Sequence, residues 1–132
     1  MIGSAHRFHG YNSLRTTYQR GQSVRHALLL MRFSPSNRAR GYRVAVVVSR
    51  KIHKSAVVRN RLRRRIYSAV QSFEPAFSQS YDLIFTVLQE KLGELSPKEL
   101  KELIEHHLRK AGVIVRQNPL PRDIVGKEKK EV

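Results

Sequence analysis

The first 73 residues of this chain contain no aspartate and no glutamate. They carry 16 lysines and arginines, whereas residues 74–132 carry 10 cations together with all 10 carboxylates. The whole formal net charge of +16 therefore belongs to residues 1–73. A folded unit without internal anions needs a polyanion to neutralise its cations. Nucleic acid is the expected one, since phosphate neutralisation releases counterions on binding.

The choice of cation supports the same interpretation. Only Lys51 and Lys54 among these 16 cations are lysines, and the other 14 are arginines. The planar guanidinium matches phosphate with two donors and also stacks on bases. A surface selected only for solubility would contain more lysine and would mix in glutamate. Two alternatives stay open at this point, a solvated basic face and a surface for anionic membranes.

Length and composition indicate one domain. The 132 residues are 40% hydrophobic, which is enough for a core, and domains commonly have about 100–200 residues. We expect a single RNA-binding domain over residues 1–116, with a flexible arm at 1–10 and a disordered charged tail at 117–132. The absence of cysteine excludes disulfides and thiolate metal sites. The N-terminus lacks the apolar core of a signal peptide and no run is long enough to span a membrane, so we expect a cytoplasmic protein without a membrane partner.

Hydrophobic periodicity and turn residues predict the order of the elements. Helices are predicted at about 12–20, 56–73 and 96–111, and strands at 24–33, 42–49, 81–88 and, as a short fourth strand, 113–115. Without that last strand the order is α-β-β-α-β-α. It predicts an α/β layered fold, in which helices pack on a small sheet. Ser96 with Glu99 predicts a capping box at the start of the last helix, and Gly112 predicts its end. The apolar stripe of this helix is Leu100, Leu103, Ile104, His107, Leu108 and Ala111.

The predicted helix at 56–73 combines one apolar stripe with a strongly basic remainder. The stripe expected to face the sheet consists of Val58, Leu62, Ile66, Ala69, Val70 and Phe73. The polar positions flank this stripe or point away from it, with Arg59 and Arg63 on one flank, Arg61 on the other, and Asn60 and Arg64 opposite. Five cations within seven residues repel one another at i,i+4 spacing. A phosphate backbone would reverse that cost on binding.

The segment that contains this helix resembles a known family. Its run Arg59-Asn60-Arg61, with the basic residues that follow, is similar to the RNR signature of the bacterial ribonuclease P protein subunit. As in that family, a strand end Val48-Ser49-Arg50-Lys51 precedes the run. Other positions of the family pattern are also matched in this sequence, at Arg7, Leu14, Tyr18, Gly21-Gln22-Ser23 and Tyr81-Asp82-Leu83-Ile84. The resemblance extends over about residues 6–111, and the RNR stretch with its strand is its specific part.

The resemblance implies a protein subunit that is not itself the catalyst. In the family the catalytic subunit is an RNA that removes the 5′ leader from precursor tRNA, so the implied partners are that RNA and precursor tRNA, and no protein partner is predicted. The implied cofactor is Mg²⁺, bound mainly by the RNA subunit and the substrate. The implied fold is an α/β (α+β) sandwich, in which helices pack on a small mixed sheet. Its strand–helix–strand crossover is left-handed, against the general rule of right-handed crossovers.

Two sets of interface residues follow from the resemblance. Contacts to the RNA subunit are expected from Arg50, Lys51, Lys54, Arg59, Asn60, Arg61, Arg63 and Arg64. The single-stranded leader is expected in a cleft between the sheet and the first helix, at Arg7, Leu14 and Tyr18. The family usually has an aromatic residue in place of Leu14, and leucine cannot stack on a base. Leader binding is therefore expected to be weaker, or to rest on other residues such as Phe8 or Tyr11.

The sequence contains no evident set of catalytic or metal-binding residues. The basic half has no carboxylate pair that could hold Mg²⁺, and the candidates Asp82 and Glu90 lie outside the basic segment. His106 and His107 would face opposite sides of a helix, so both are expected to be structural or solvated. Two other functions stay open, a general RNA-binding or ribosome-associated protein and a self-sufficient nuclease.

Overall fold

We describe residues 21–35, 42–77 and 80–114 of the chain, from a computed structural model. These residues form four strands, two α-helices and two short 3₁₀ helices. The strands are β1 (Gln22–Arg25), β2 (Leu29–Pro35), β3 (Arg43–Val47) and β4 (Tyr81–Val87), and the α-helices are α1 (Ala56–Gln71) and α2 (Pro97–Ala111). The 3₁₀ helices are Glu74–Ala76 and Glu90–Glu94. The predicted first helix at 12–20, the arm at 1–10 and the tail at 117–132 lie outside the described residues.

The four strands form one mixed sheet in the order β1-β2-β4-β3. β2 is antiparallel to both β1 and β4, whereas β3 is parallel to β4, with Val44 opposite Leu83. The parallel pair is joined by α1, so the strand–helix–strand unit predicted between residues 42 and 88 is confirmed. The left hand of this crossover stays a prediction.

The single strand predicted at 24–33 was wrong, because the structure divides that segment into β1 and β2. The turn between them is held by two hydrogen bonds: the His26 N–H donates to the Leu29 carbonyl at 2.9 Å, and the Leu28 N–H donates to His26 Nδ1 at 3.1 Å. A histidine side chain therefore makes a turn that is usually signalled by glycine or proline. Because an apolar run follows His26, the sequence pattern gave no sign of this turn.

The fourth strand predicted at 113–115 was also wrong in its extent. Ile114 makes only an isolated antiparallel bridge with Phe77, and residue 115 lies outside the described residues. The predicted helix at 56–73 ends at Gln71, where the Ser72 N–H still bonds the Ser68 carbonyl at 3.2 Å. Pro75 then lies in the 3₁₀ helix that follows, because its ring fits a first turn but cannot continue an α-helix.

The core lies between one face of the sheet and the two helices. Alternate residues of β2 (Leu29, Met31 and Phe33) point into it and are buried. From α1 it receives Leu62, Ile66, Ala69 and Val70, and from α2 it receives Leu100, Ile104, His107 and Leu108. Both sets belong to the apolar stripes that helical periodicity indicates. This packing determines which faces of the two helices are exposed to solvent.

The two helices are positioned by capping and by contacts with different strands. α1 packs on β3, α2 packs on β1, and the helices also contact each other. Ser96 begins α2 with a capping box, in which its hydroxyl accepts from the Glu99 N–H at 3.1 Å and the Glu99 carboxylate accepts from the Ser96 N–H at 2.8 Å. Gly112 ends α2 at φ 78°, a left-handed conformation that favours glycine. The sequence predicted both ends of this helix.

Candidate nucleic-acid interface

The loop from Ser49 to Ser55 is held in one conformation by local hydrogen bonds. The Ile52 N–H donates to the Ser49 carbonyl at 3.0 Å, and the Ser55 N–H donates to His53 Nδ1 at 3.0 Å. Ser55 is also the N-cap of α1, since its hydroxyl accepts from the Val58 N–H at 3.3 Å. The loop and the helix therefore form one continuous basic element.

Arg59 joins the helix to this loop. Its guanidinium donates from one nitrogen to the carbonyls of His53 at 3.1 Å and Lys54 at 3.0 Å. These bonds hold the loop on which Arg50, Lys51 and Lys54 are exposed. Arg59 therefore positions the predicted contact residues as well as contributing its own charge.

The middle of α1 presents positive side chains that form no ion pair with the described carboxylates. Asn60, Arg61 and Arg64 are exposed and Arg63 is half-buried. Among the described residues, no carboxylate pairs with any of these three arginines. The first turn of α1 has no acidic residue either, so the positive end of the helix dipole adds to the field. This face can neutralise several phosphates.

Arg65, the remaining cation of the helix, has a different role. It lies near the apolar edge of α1 and donates to the carbonyls of Gly93, at 3.0 Å, and Leu95. A Cβ added at Gly93 would lie 3.2 Å from Leu62 Cδ2, so the 3₁₀ helix Glu90–Glu94 approaches α1 closely. Arg65 therefore fastens that segment to the helix.

The segment fastened by Arg65 brings an acid to the basic loop. Glu90 Oε2 lies 4.0 Å from His53 Nε2, and Glu90 borders a cavity of about 450 Å³ together with Arg50, Lys51 and Lys54. In the sequence Glu90 lies outside the basic segment, but in the fold it lies beside it. A single exposed carboxylate among these cations reduces the local charge only in part.

Asp82, the other carboxylate considered for metal binding, is occupied by Arg43. The Arg43 Nε and Nη2 donate to the two oxygens of Asp82 at 2.8 and 2.7 Å. The two side chains are only 15% and 11% exposed and lie opposite each other on β3 and β4. This bidentate pair ties the parallel strands together.

The second face of the sheet, opposite the core, carries three rows of side chains across β2, β4 and β3. These rows are Leu30–Thr86–Val47, Arg32–Ile84–Ala45 and Ser34–Asp82–Arg43. Most of these side chains are half-buried, but Ile84 has no exposed surface. The residues predicted to hold the leader, Arg7, Leu14 and Tyr18, lie outside the described residues, so their placement on this face stays a prediction.

Comparison with known proteins identifies the family of this chain. The family model described as Ribonuclease P matches residues 3–112, which include every element described above. The chain belongs to the ribonuclease P protein family. This family provides the protein component of an endoribonuclease that processes the 5′ end of tRNA, with a catalytic RNA subunit.

Individual ribonuclease P proteins support the assignment. The protein component from Synechocystis is 36% identical over 104 residues, which cover 79% of this chain and 83% of that protein. A mutant of the Staphylococcus aureus protein has a similar structure, with a TM-score of 0.74 at 21% identity over 83% of this chain and 91% of that chain. The Thermotoga maritima protein has a TM-score of 0.64 at 19% identity over 73% and 89%. The mixed α+β fold is therefore that of ribonuclease P proteins.

Neither α-helix in the described part of the chain is long and apolar enough to cross a bilayer. Across residues 21–35, 42–77 and 80–114, no three His, Asp or Glu side chains group as metal ligands would.

Proposed function

We propose that the basic surface formed by the 49–55 loop and the outer face of α1 binds the catalytic RNA of ribonuclease P. The single observation that carries this proposal is the set of arginines 61, 63 and 64, which lie on a capped, packed helix without any carboxylate partner among the described residues. Arg50, Lys51, Lys54, Arg59 and Asn60 extend the same surface. A rigid array of guanidinium groups is suited to contacting several phosphates at once.

The same proposal assigns precursor tRNA to the second face of the sheet. The single-stranded leader would contact Arg7, Leu14 and Tyr18, while the Arg43–Asp82 pair holds β3 and β4 in register beneath it. Mg²⁺ would be bound mainly by the RNA subunit and the substrate, since Asp82 is committed to Arg43. The protein would act in the cytoplasm, together with these two RNAs.

Reconstitution of cleavage tests this function. Precursor tRNA is incubated at low Mg²⁺ with the protein alone, the catalytic RNA alone, or both together. We expect cleavage at the 5′ leader to require both, because the protein supplies binding and the RNA supplies catalysis. Cleavage by the protein alone would identify a self-sufficient nuclease. An identical rate with and without the protein would identify a general RNA-binding protein.

A further inference from the structure

A groove between α1 and α2 extends beyond the surface assigned above. It has a volume of about 480 Å³ and is bordered by both helices. On one side it is lined by α1 and its C-cap, through Arg61, Arg64, Arg65, Ser68, Ala69 and Ser72, and on the other by the first turns of α2, through Pro97, Leu100 and Lys101. The α1 side alone extends over about 16 Å at the helical rise of 1.5 Å per residue. Its volume falls within the ~300–1,000 Å³ typical of small-ligand sites.

The chemistry of this groove is divided between its rim and its floor. Four cations border it, and no carboxylate does. Its floor is apolar, since Ala69 and Leu100 are buried core residues and Pro97 has no backbone donor. A ligand that fits has negative charge on one side and a flat, weakly polar body on the other. A nucleotide has both properties.

Lys101 supplies the charge on the α2 side. Its Nζ lies 5.9 Å from the centre of the Phe73 ring, a cation–π distance that holds the side chain toward the end of α1. Among the described residues, no carboxylate forms an ion pair with it. By contrast, Arg65 already donates to the carbonyls of Gly93 and Leu95. Lys101, Arg61 and Arg64 are therefore the cations that can contact a phosphate.

We infer that this groove receives one unpaired nucleotide of the catalytic RNA. Its phosphate would lie between Lys101 and the arginines of α1, and its base would lie over the apolar floor and against a guanidinium plane. Sequence-specific recognition of RNA relies mainly on such unstacked nucleotides, whose bases stack on aromatic side chains or, as would be the case here, on arginine guanidinium planes. The catalytic RNA is the source because Arg61 and Arg64 border the groove and also belong to the surface proposed for that RNA. The inference rests on that proposed function.

Removal of one lysine tests the phosphate contact. Lys101→Ala is compared with Lys110→Ala, which removes the same charge from an exposed position of α2 outside the groove. Binding to the catalytic RNA alone is measured at about 50 to about 200 mM salt. We expect Lys101→Ala to bind the catalytic RNA more weakly than the wild type does. The ratio of wild-type to variant affinity should fall by about threefold from the lower to the higher salt concentration, as the loss of one phosphate contact requires. Lys110→Ala should resemble the wild type.

Filling the groove tests whether a base enters it. Ser68→Phe keeps every cation but places an aromatic ring in the groove. The affinity for the catalytic RNA should therefore fall, while the salt dependence of that affinity stays unchanged. Chemical probing of the ribose 2′-hydroxyls should show a nucleotide that the wild-type protein protects and the Ser68→Phe variant does not. Thermal melting confirms that each variant is folded.

Each outcome separates this inference from the proposed function. Equal binding by the Lys101→Ala and Lys110→Ala variants, or an RNA in which no nucleotide changes its protection, would overturn the groove site. An effect of Lys101→Ala confined to precursor tRNA would overturn the choice of the catalytic RNA. If Arg61→Ala/Arg64→Ala weakens RNA binding while Lys101→Ala does not, only the groove inference fails. If none of these variants changes RNA binding, the proposed function fails as well.

Discussion

At the scale of single residues, the arginines of α1 have two distinct uses. Arg59 and Arg65 donate to backbone carbonyls and hold neighbouring segments in place. Arg61 and Arg64 are exposed and have no carboxylate partner among the described residues. The sequence shows only a run of similar cations, because the carbonyls of Gly93 and Leu95 lie about thirty positions away. Substitutions should separate the two uses.

Arg65→Ala and Arg64→Ala remove the same charge one position apart. We expect Arg65→Ala to lower the free energy of unfolding by about 1–2 kcal/mol, since charged hydrogen bonds to two carbonyls are lost from a half-exposed site. Arg64→Ala should change it by less than about 0.5 kcal/mol, the usual range for a surface substitution. Urea unfolding measures both values. Equal losses would contradict the structural role of Arg65.

Arg43→Ala should destabilise the protein more than Arg65→Ala does, because it leaves the buried Asp82 carboxylate without its bidentate partner. We expect the free energy of unfolding to fall by about 3 kcal/mol, as for other buried pairs that lose one member. In the double variant Arg43→Met/Asp82→Asn no charge is left unpaired, so the loss should be smaller. Chemical denaturation of both variants provides the comparison, and an equal loss in the two would refute this account of the pair.

At the scale of elements, the helices could be predicted from the sequence better than the sheet edges. The Ser96 cap and the Gly112 end of α2 are local patterns, and both were confirmed. Four of the six residues predicted for the α1 stripe are buried, whereas Val58 is half-buried and Phe73 lies beyond the end of the helix. The β1–β2 turn was missed because a histidine side chain makes it. The bridge from Ile114 to Phe77 is a long-range pairing that periodicity does not specify.

The buried stripe of α1 gives a stability prediction for the element. Leu62 is in the core, whereas Arg61 and Arg63 on either side of it are not. Leu62→Ala should therefore lower the free energy of unfolding by about 2–5 kcal/mol, the range for truncation of a buried leucine. Thermal melting and RNA binding are measured together. A variant that melts like the wild type but no longer binds RNA would show that α1 is oriented differently.

His107 connects α2 to the sheet and makes its packing depend on pH. Its Nδ1 and Nε2 lie 2.8 and 3.0 Å from the carbonyl oxygens of Leu103 and Leu29. Burial lowers the pKa of His107, the two carbonyls oppose that shift, and the neighbouring His106 and His26 add to it. A neutral ring carries one N–H, so it donates to one of the two carbonyls.

The sign of the pH effect follows from that lowered pKa. In the unfolded chain the His107 ring takes up a proton near pH 6.5, whereas in the folded protein the same ring does so only at lower pH. The contribution of His107 to stability should therefore be complete above about pH 6.5 and decline as the pH falls from there through the folded pKa. Urea unfolding between pH 7.5 and pH 5 measures it. His107→Leu should show a flatter pH dependence than the wild type, and an identical dependence would contradict the assignment.

At the scale of the whole molecule, the acid-free first part of the sequence indicated the proposed RNA-binding surface, but the fold determined the extent of that surface. Eight residues between Arg50 and Arg64 were predicted to contact RNA, and the structure brings them together on one loop and one helix. Lys101 and Glu90 were not predicted as neighbours of this surface. They come from the half of the chain with balanced charge, and only the packing of α2 and of the 3₁₀ helix places them there.

The salt dependence of RNA binding tests the central claim most directly. The double variant Arg61→Ala/Arg64→Ala is compared with Lys110→Glu, which changes the net charge equally but lies at the end of α2. The slope of log affinity against log salt for the catalytic RNA should fall by about two units in the double variant, at ~0.9 per phosphate contact, and should stay unchanged in Lys110→Glu. An unchanged slope in the folded double variant, or an equal change in both variants, would contradict the claim that α1 binds the catalytic RNA.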